Sequence, residues 1–66
     1  MEIRLSRHAK NKIRLYKLEF REIEKTINQG EKTTQGNKWE SKYGNLRIIW
    51  EIIGSYIFVI TVIKVK

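Results

Sequence analysis

Cysteine is absent from this sequence of 66 residues, and histidine occurs once, at His8. The chain therefore forms no disulfide, and one histidine cannot build a metal site by itself, so we expect no metal and no other cofactor. A domain of this size buries only about 60% of the surface of its unfolded chain. Its stability must come from dense aliphatic packing, from self-association or from a partner. The absence of cysteine fits a reducing cytoplasm.

A long uninterrupted apolar run is also missing. Residues 46–63 are the most apolar stretch, but Arg47, Glu51 and the pair Gly54–Ser55 interrupt it. A membrane-spanning helix needs about 20 apolar residues. The first residues of the chain lack the apolar segment of a signal peptide. We therefore expect a cytoplasmic protein with no membrane partner.

Acidic residues are scarce compared with basic ones. Fourteen Lys and Arg against seven Asp and Glu give a net charge of +7. The basic residues are distributed along the whole chain, without a polybasic tail. Such a charge favours nucleic acid, an anionic membrane surface or an acidic protein as partner. The competing interpretation is solubility combined with a general preference for lysine.

The C-terminal third, residues 46–66, contains most of the large apolar residues and predicts a β-hairpin. Two runs rich in Ile and Val flank Gly54–Ser55, and Gly54 suits the positive φ of a type II′ turn. Before them, residues 38–43 alternate between apolar and charged side chains, and Gly44–Asn45 predicts a second tight turn. These patterns indicate three consecutive antiparallel strands.

The N-terminal half predicts a short strand and two helices. Residues 2–6 alternate, and Ser6 is placed to cap a helix from Arg7 to about Tyr16. A second apolar stripe predicts a helix from about Glu19 to Asn28, with Gly30 as a plausible residue just after its end. Residues 30–37 are polar and predict a loop or an irregular edge. The chain is expected to be one α+β domain, residues 1–66, of order β-α-α-β-β-β, an antiparallel meander with both helices on one face.

Side-chain alternation assigns two faces to this sheet, because a two-residue turn puts its flanking residues opposite each other. The face expected to meet the helices carries Trp39, Ser41, Tyr43, Leu46, Ile48, Trp50, Ile52, Ile57, Val59, Thr61, Ile63 and Val65. No further helix is predicted to cover the other face. Its apolar residues are expected to bind a partner, or to form a homodimer: Ile49, Ile53, Phe58, Ile60 and Val62.

Three groups of residues could carry chemistry. His8 lies near a helix N-terminus, where a neutral imidazole could act as a base, although a lone histidine is more often structural. Cations on the uncovered face could hold a phosphate and stabilise the phosphorane formed when an RNA 2′-OH attacks it: Lys38, Lys42 and Arg47. Auxiliary phosphate contacts are expected from the first strand and the first helix: Arg4, Arg7, Lys10, Lys12 and Arg14.

The segment Ser6-Arg7-His8-Ala9, followed by Lys12-Ile13 and by Lys17-Leu18-Glu19 at the second helix, resembles a small bacterial and archaeal domain family. The runs Leu46–Ile49 and Val59–Val62 resemble its final strands. That family is similar to the RelE/ParE toxin superfamily, which has the β-α-α-β-β-β order.

The resemblance implies the toxin of a toxin–antitoxin system. RelE-like toxins cleave mRNA on the ribosome without a metal, using basic and Tyr side chains of the sheet, and an antitoxin holds them inactive. The catalytic positions implied here are His8, Lys38, Lys42, Arg47 and Tyr56. ParE-like members are not ribonucleases, and some act on gyrase. The alternative function is therefore a non-catalytic binding module of the same fold, which inhibits a protein target or binds nucleic acid.

Overall fold

The computed structural model describes residues 1–65, which form two helices and five strands in one α+β domain. Their order is β1 (Glu2–Leu5), α1 (Arg7–Tyr16), α2 (Phe20–Gln29), β2 (Glu31–Gln35), β3 (Lys38–Tyr43), β4 (Leu46–Ile53) and β5 (Tyr56–Lys64). The strands form one sheet of order β1-β5-β4-β3-β2. The sheet is mixed, because β1 runs parallel to β5 while the other pairs are antiparallel. The α+β class is thus confirmed, and both helices pack on one face.

Strand β2 corrects the predicted loop over residues 30–37 and adds one strand to the expected order. It pairs with β3 through a two-residue turn at Gly36–Asn37, with Gln35 opposite Lys38. Gly36 has a φ of 65°, a conformation that glycine adopts without strain. Every side chain of β2 is exposed. An edge strand that buries nothing has no apolar alternation, so the sequence pattern did not reveal it.

The two helices begin and end close to the predicted residues. The Ser6 side chain accepts a hydrogen bond from the Ala9 N–H at 3.0 Å and thereby caps α1, as predicted. Gly30 follows α2, but with an ordinary φ of −74° rather than a left-handed one. A Cβ atom on Gly30 would lie 2.5 Å from the Thr26 carbonyl oxygen and 2.7 Å from that of Lys42. Glycine is therefore needed there for close packing of main chains.

The core lies between the helices and the central strands. Its buried apolar residues are Ala9, Ile23, Ile27, Leu46, Ile48, Trp50, Ile57, Val59 and Val62. Trp39 stacks on Trp50 with ring centroids 5.4 Å apart, and the Trp50 Nε1–H donates to the Ser41 hydroxyl at 2.8 Å. Ile52 was expected in this core, yet half of it is exposed (50%). The helices do not cover the end of the sheet where Ile52 lies.

A β-bulge in β5 changes the predicted faces of its second half. Val59 pairs with Trp50 and Thr61 with Ile49, so Ile60 is an extra residue without a partner on β4. The insertion reverses the alternation beyond it. Val62, predicted on the uncovered face as a partner-binding residue, is fully buried in the core. Thr61 and Ile63, predicted in the core, move to the uncovered face.

Candidate nucleic-acid interface on the open sheet face

The side of the sheet opposite the helices is called the open face here. Pairing and alternation place on it residues from all five strands, whereas their neighbours along each strand point to the helix side. They are Glu2, Arg4, Glu31, Thr33, Gln35, Lys38, Glu40, Lys42, Arg47, Ile49, Glu51, Ile53, Tyr56, Phe58, Thr61 and Ile63. The three sheet cations predicted to act together, Lys38, Lys42 and Arg47, do share this face.

Two of these cations face each other directly across neighbouring strands. Lys42 of β3 is the register partner of Arg47 of β4. The Arg47 side chain is half-buried, and its Nε atom is buried without a hydrogen-bond partner among residues 1–65. Neither residue forms an ion pair within the same part of the chain. Like charges in directly opposite positions destabilise a sheet, so this cation pair suits an anion that both side chains can bind.

Carboxylates alternate with the cations on the open face. Glu40 stands between Lys38 and Lys42 on β3, and Glu31 is the register partner of Lys42 on β2. The face as a whole carries four cations and four carboxylates: Arg4, Lys38, Lys42, Arg47, Glu2, Glu31, Glu40 and Glu51. Its positive potential is therefore local to the cation pair.

Arg4 and Tyr56 form a separate cluster at the other end of the face. The Arg4 guanidinium lies 4.2 Å from the centre of the Tyr56 ring and 3.2 Å from the Glu2 carboxylate. The hydrogen bond that Arg4 donates to the Glu2 carboxylate, together with the negative charge of Glu2, raises the pKa of Arg4, so Arg4 stays cationic. Tyr56 pairs with Ile53, six residues along β4 from Arg47. That separation is about 20 Å, so the structure does not bring Tyr56 to the cation pair.

His8 lies in the first turn of α1, with its side chain exposed in the helix layer. The sheet separates this layer from the open face, so His8 does not join Lys42 and Arg47 in one site. The residues around it have structural roles. Ser6 caps α1 and donates its hydroxyl to the Ile60 carbonyl at 2.6 Å, and Ala9 is completely buried.

The basic side of α1 forms a second positive surface. Arg7, Lys10 and Arg14 are exposed and recur at helical spacing along one side. Lys12 is half-buried, and its ammonium lies 5.7 Å from the centre of the Tyr16 ring. We call Arg7, Lys10 and Arg14 the α1 stripe. It faces away from the open face and cannot contact the same short ligand.

The apolar residues predicted to bind a partner differ in how much of their surface is exposed. Ile49, Phe58 and Ile60 are half-buried, and Ile53 is exposed by 38%. Ile63, exposed by 41%, was missed because the bulge could not be predicted. A shallow depression of about 420 Å³ lies beside Ile49 at the β2 edge.

Residues 1–65 contain no cluster of three His, Asp or Glu side chains that could hold a metal ion. In the same range, neither helix has the length and apolar character required to cross a membrane.

The fold and the open face define a small basic α+β domain with an uncovered sheet surface. Comparison with protein-family models, with curated proteins and with solved structures gives no match for this chain. Its function must therefore be inferred from its own residues.

Proposed function

We propose that this domain binds RNA on the open face of its sheet, as the RNA-directed toxin of a toxin–antitoxin pair. The observation that carries the proposal is the cation pair Lys42–Arg47 on neighbouring strands. A phosphate between the two side chains would remove their mutual repulsion.

The apolar residues of the open face and the charge of the whole molecule both favour RNA over a small anion. Phe58 on β5 and Ile49 on the central strand β4 present half-buried apolar surface, and a base of a single strand can stack on the aromatic ring of Phe58. The net charge of +7 draws a polyanion to the protein over a long range. A single strand laid across β5, β4 and β3 would contact both the apolar centre and the cation pair.

The cation pair would promote RNA cleavage by stabilising the negative charge that develops on the phosphate during the reaction. When the 2′ oxygen of RNA attacks the adjacent phosphorus, a new P–O bond forms and the bond to the 5′ oxygen breaks. The 2′-OH gives its proton to a water molecule, and the leaving 5′ oxygen takes a proton from water. Lys42 and Arg47 would stabilise the additional negative charge of the pentacoordinate intermediate. The reaction would leave a 2′,3′-cyclic phosphate and need no metal.

A second candidate function is a binding module whose open face holds a protein, such as an antitoxin segment or an inhibited target. The observation favouring it is the balance of four cations and four carboxylates around exposed Ile53 and Ile63. An interface with a protein tolerates such a mixed surface, whereas a polyanion is repelled by the carboxylates. In this case loss of Lys42 or Arg47 would leave RNA affinity unchanged.

RNA affinity at several salt concentrations tests the binding proposal. Lys42→Met and Arg47→Met retain much of the aliphatic stem but remove one charge each, and each should weaken binding of a short single-stranded RNA by about tenfold. The slope of log affinity against log salt should fall by about 0.7 for each lost phosphate contact. Lys64→Met is the matched control, because Lys64 pairs with Leu46 and points to the helix side. Equal losses in all three variants would contradict a site at the cation pair.

Cleavage of mRNA on translating ribosomes tests the ribonuclease proposal. Wild-type protein should produce fragments with 2′,3′-cyclic phosphate ends. Arg47→Met should reduce the rate by about a hundredfold or more, because it removes a group that stabilises developing charge. His8→Ala should cleave at the wild-type rate, since His8 lies in the helix layer. Intact RNA with the wild type would refute catalysis, and loss of cleavage in His8→Ala alone would place the chemistry elsewhere.

A further inference from the structure

We infer that the depression beside the cation pair binds a nucleobase and selects guanine; this rests on the proposed RNA binding. The depression, about 420 Å³, lies where β2, β3 and β4 meet, and five of its seven lining residues are on the open face, whereas Thr34 and Trp39 belong to the helix side. Pockets for small ligands begin at about 300 Å³, so a single base fits. Thr33, Glu40 and Ile49 form one row across it, as successive register partners on the three strands.

The lining offers both apolar contact and hydrogen bonds. Ile49 is half-buried and provides apolar surface for the flat face of a ring. Glu40 is also half-buried as a residue, and its carboxylate forms no ion pair within the described chain, although Lys38 and Lys42 stand two residues away on each side. The other polar residues of the lining are Thr33, Thr34, Gln35 and Lys38. The Glu40 carboxylate discriminates most strongly between nucleobases, because it only accepts hydrogen bonds and therefore favours a base that presents donors.

Guanine is the base that satisfies this carboxylate best. Its N1–H and N2–H₂ groups are adjacent donors, so both Glu40 oxygens can accept, while the Lys38 ammonium can donate to O6. Adenine and cytosine present one amino donor beside an unprotonated ring nitrogen. Uracil presents one N–H between two carbonyl oxygens. Each of these three bases would bring at least one acceptor toward the carboxylate.

The depression lies at the right distance from the cation pair for one nucleotide. Glu40 precedes Lys42 by two residues on β3, and Ile49 follows Arg47 by two residues on β4. Two residues of a strand span about 7 Å. A phosphate held by Lys42 and Arg47 can therefore belong to the nucleotide whose base enters the depression.

Binding of four RNA pentamers, UUUUU, UUAUU, UUCUU and UUGUU, tests this inference by fluorescence anisotropy. The wild type should bind UUGUU about tenfold more tightly than UUUUU, the discrimination typical of one bidentate contact to a base. Glu40→Gln should abolish this preference and leave the affinity for UUUUU equal or slightly higher. Glu51→Gln is the matched control, since Glu51 is a half-buried carboxylate of the same face outside the depression. Circular dichroism establishes that each variant is folded.

The outcomes separate this inference from the proposed function. Equal affinity for all four pentamers, with binding still dependent on Arg47, would overturn guanine selection and leave RNA binding intact. A preference that survives Glu40→Gln, or that Glu51→Gln removes equally, would also overturn it. Failure of the wild type to bind any of the pentamers would overturn both.

Discussion

Ser6 joins the first strand, the first helix and the bulged last strand. Its hydroxyl oxygen accepts from the Ala9 N–H at 3.0 Å and donates to the Ile60 carbonyl at 2.6 Å, inside the bulge. Ala9 is fully buried, so a larger side chain would collide with the core. Two of the residues that carry the toxin resemblance therefore have structural roles. The side chain of His8 is exposed and forms no hydrogen bond or ion pair within residues 1–65.

A stability series separates these roles. Ser6→Ala should lower the free energy of unfolding by about 1–2 kcal/mol, because it removes a helix cap and leaves the Ile60 carbonyl without its donor. His8→Ala should change it by less than about 0.5 kcal/mol, as for an exposed residue without partners. Urea denaturation followed by circular dichroism measures both. A loss at His8 as large as at Ser6 would show that His8 supports the fold.

At the scale of elements, the turns were predicted well and the edge strand was not. Gly54–Ser55 and Gly44–Asn45 are predictable because apolar alternation flanks them; Gly54 has the expected positive φ, and Gly44 has a positive φ as well. Gly36–Asn37 is the same kind of pair, yet the flanking β2 is entirely polar. The Gly–Asn pair at 36–37 was the signal that could have identified this third hairpin.

The same reasoning explains which parts of the candidate site were predictable. Lys38, Lys42 and Arg47 were assigned to one face correctly, because the alternation from the Gly44–Asn45 turn into β3 and β4 is regular. The error at Val62 came from the bulge, since one extra residue reverses the facing of all later side chains and leaves no mark in a period-two pattern. The distances of His8 and Tyr56 from the cation pair depend on the tertiary packing of α1 on the sheet and on the register of β4 and β5. Local periodicity does not contain that information.

The net charge of the molecule lies outside the open face, where four cations and four carboxylates cancel. Residues 1–18 contain six Lys and Arg against one Glu, so they carry +5 of the net +7, while residues 19–66 contain eight against six. Much of the positive charge therefore belongs to α1, on the side opposite the open face. A short RNA can contact either the open face or the α1 stripe. A long RNA can pass around the edge of the sheet and contact both, and so can the RNA of a ribosome.

The contribution of the α1 stripe to RNA affinity should therefore depend on the length of the RNA. The double variant Lys10→Ala, Arg14→Ala should leave the affinity for a pentamer almost unchanged. For an RNA of several tens of nucleotides, it should reduce the slope of log affinity against log salt by about 1.4, the value for two lost phosphate contacts on a single strand. Arg21→Ala with Lys64→Ala is the control of equal charge, because neither residue belongs to the stripe or to the open face. A net-charge effect alone would weaken both double variants equally and at both RNA lengths. A loss confined to the stripe and to the long RNA would identify α1 as a second contact surface.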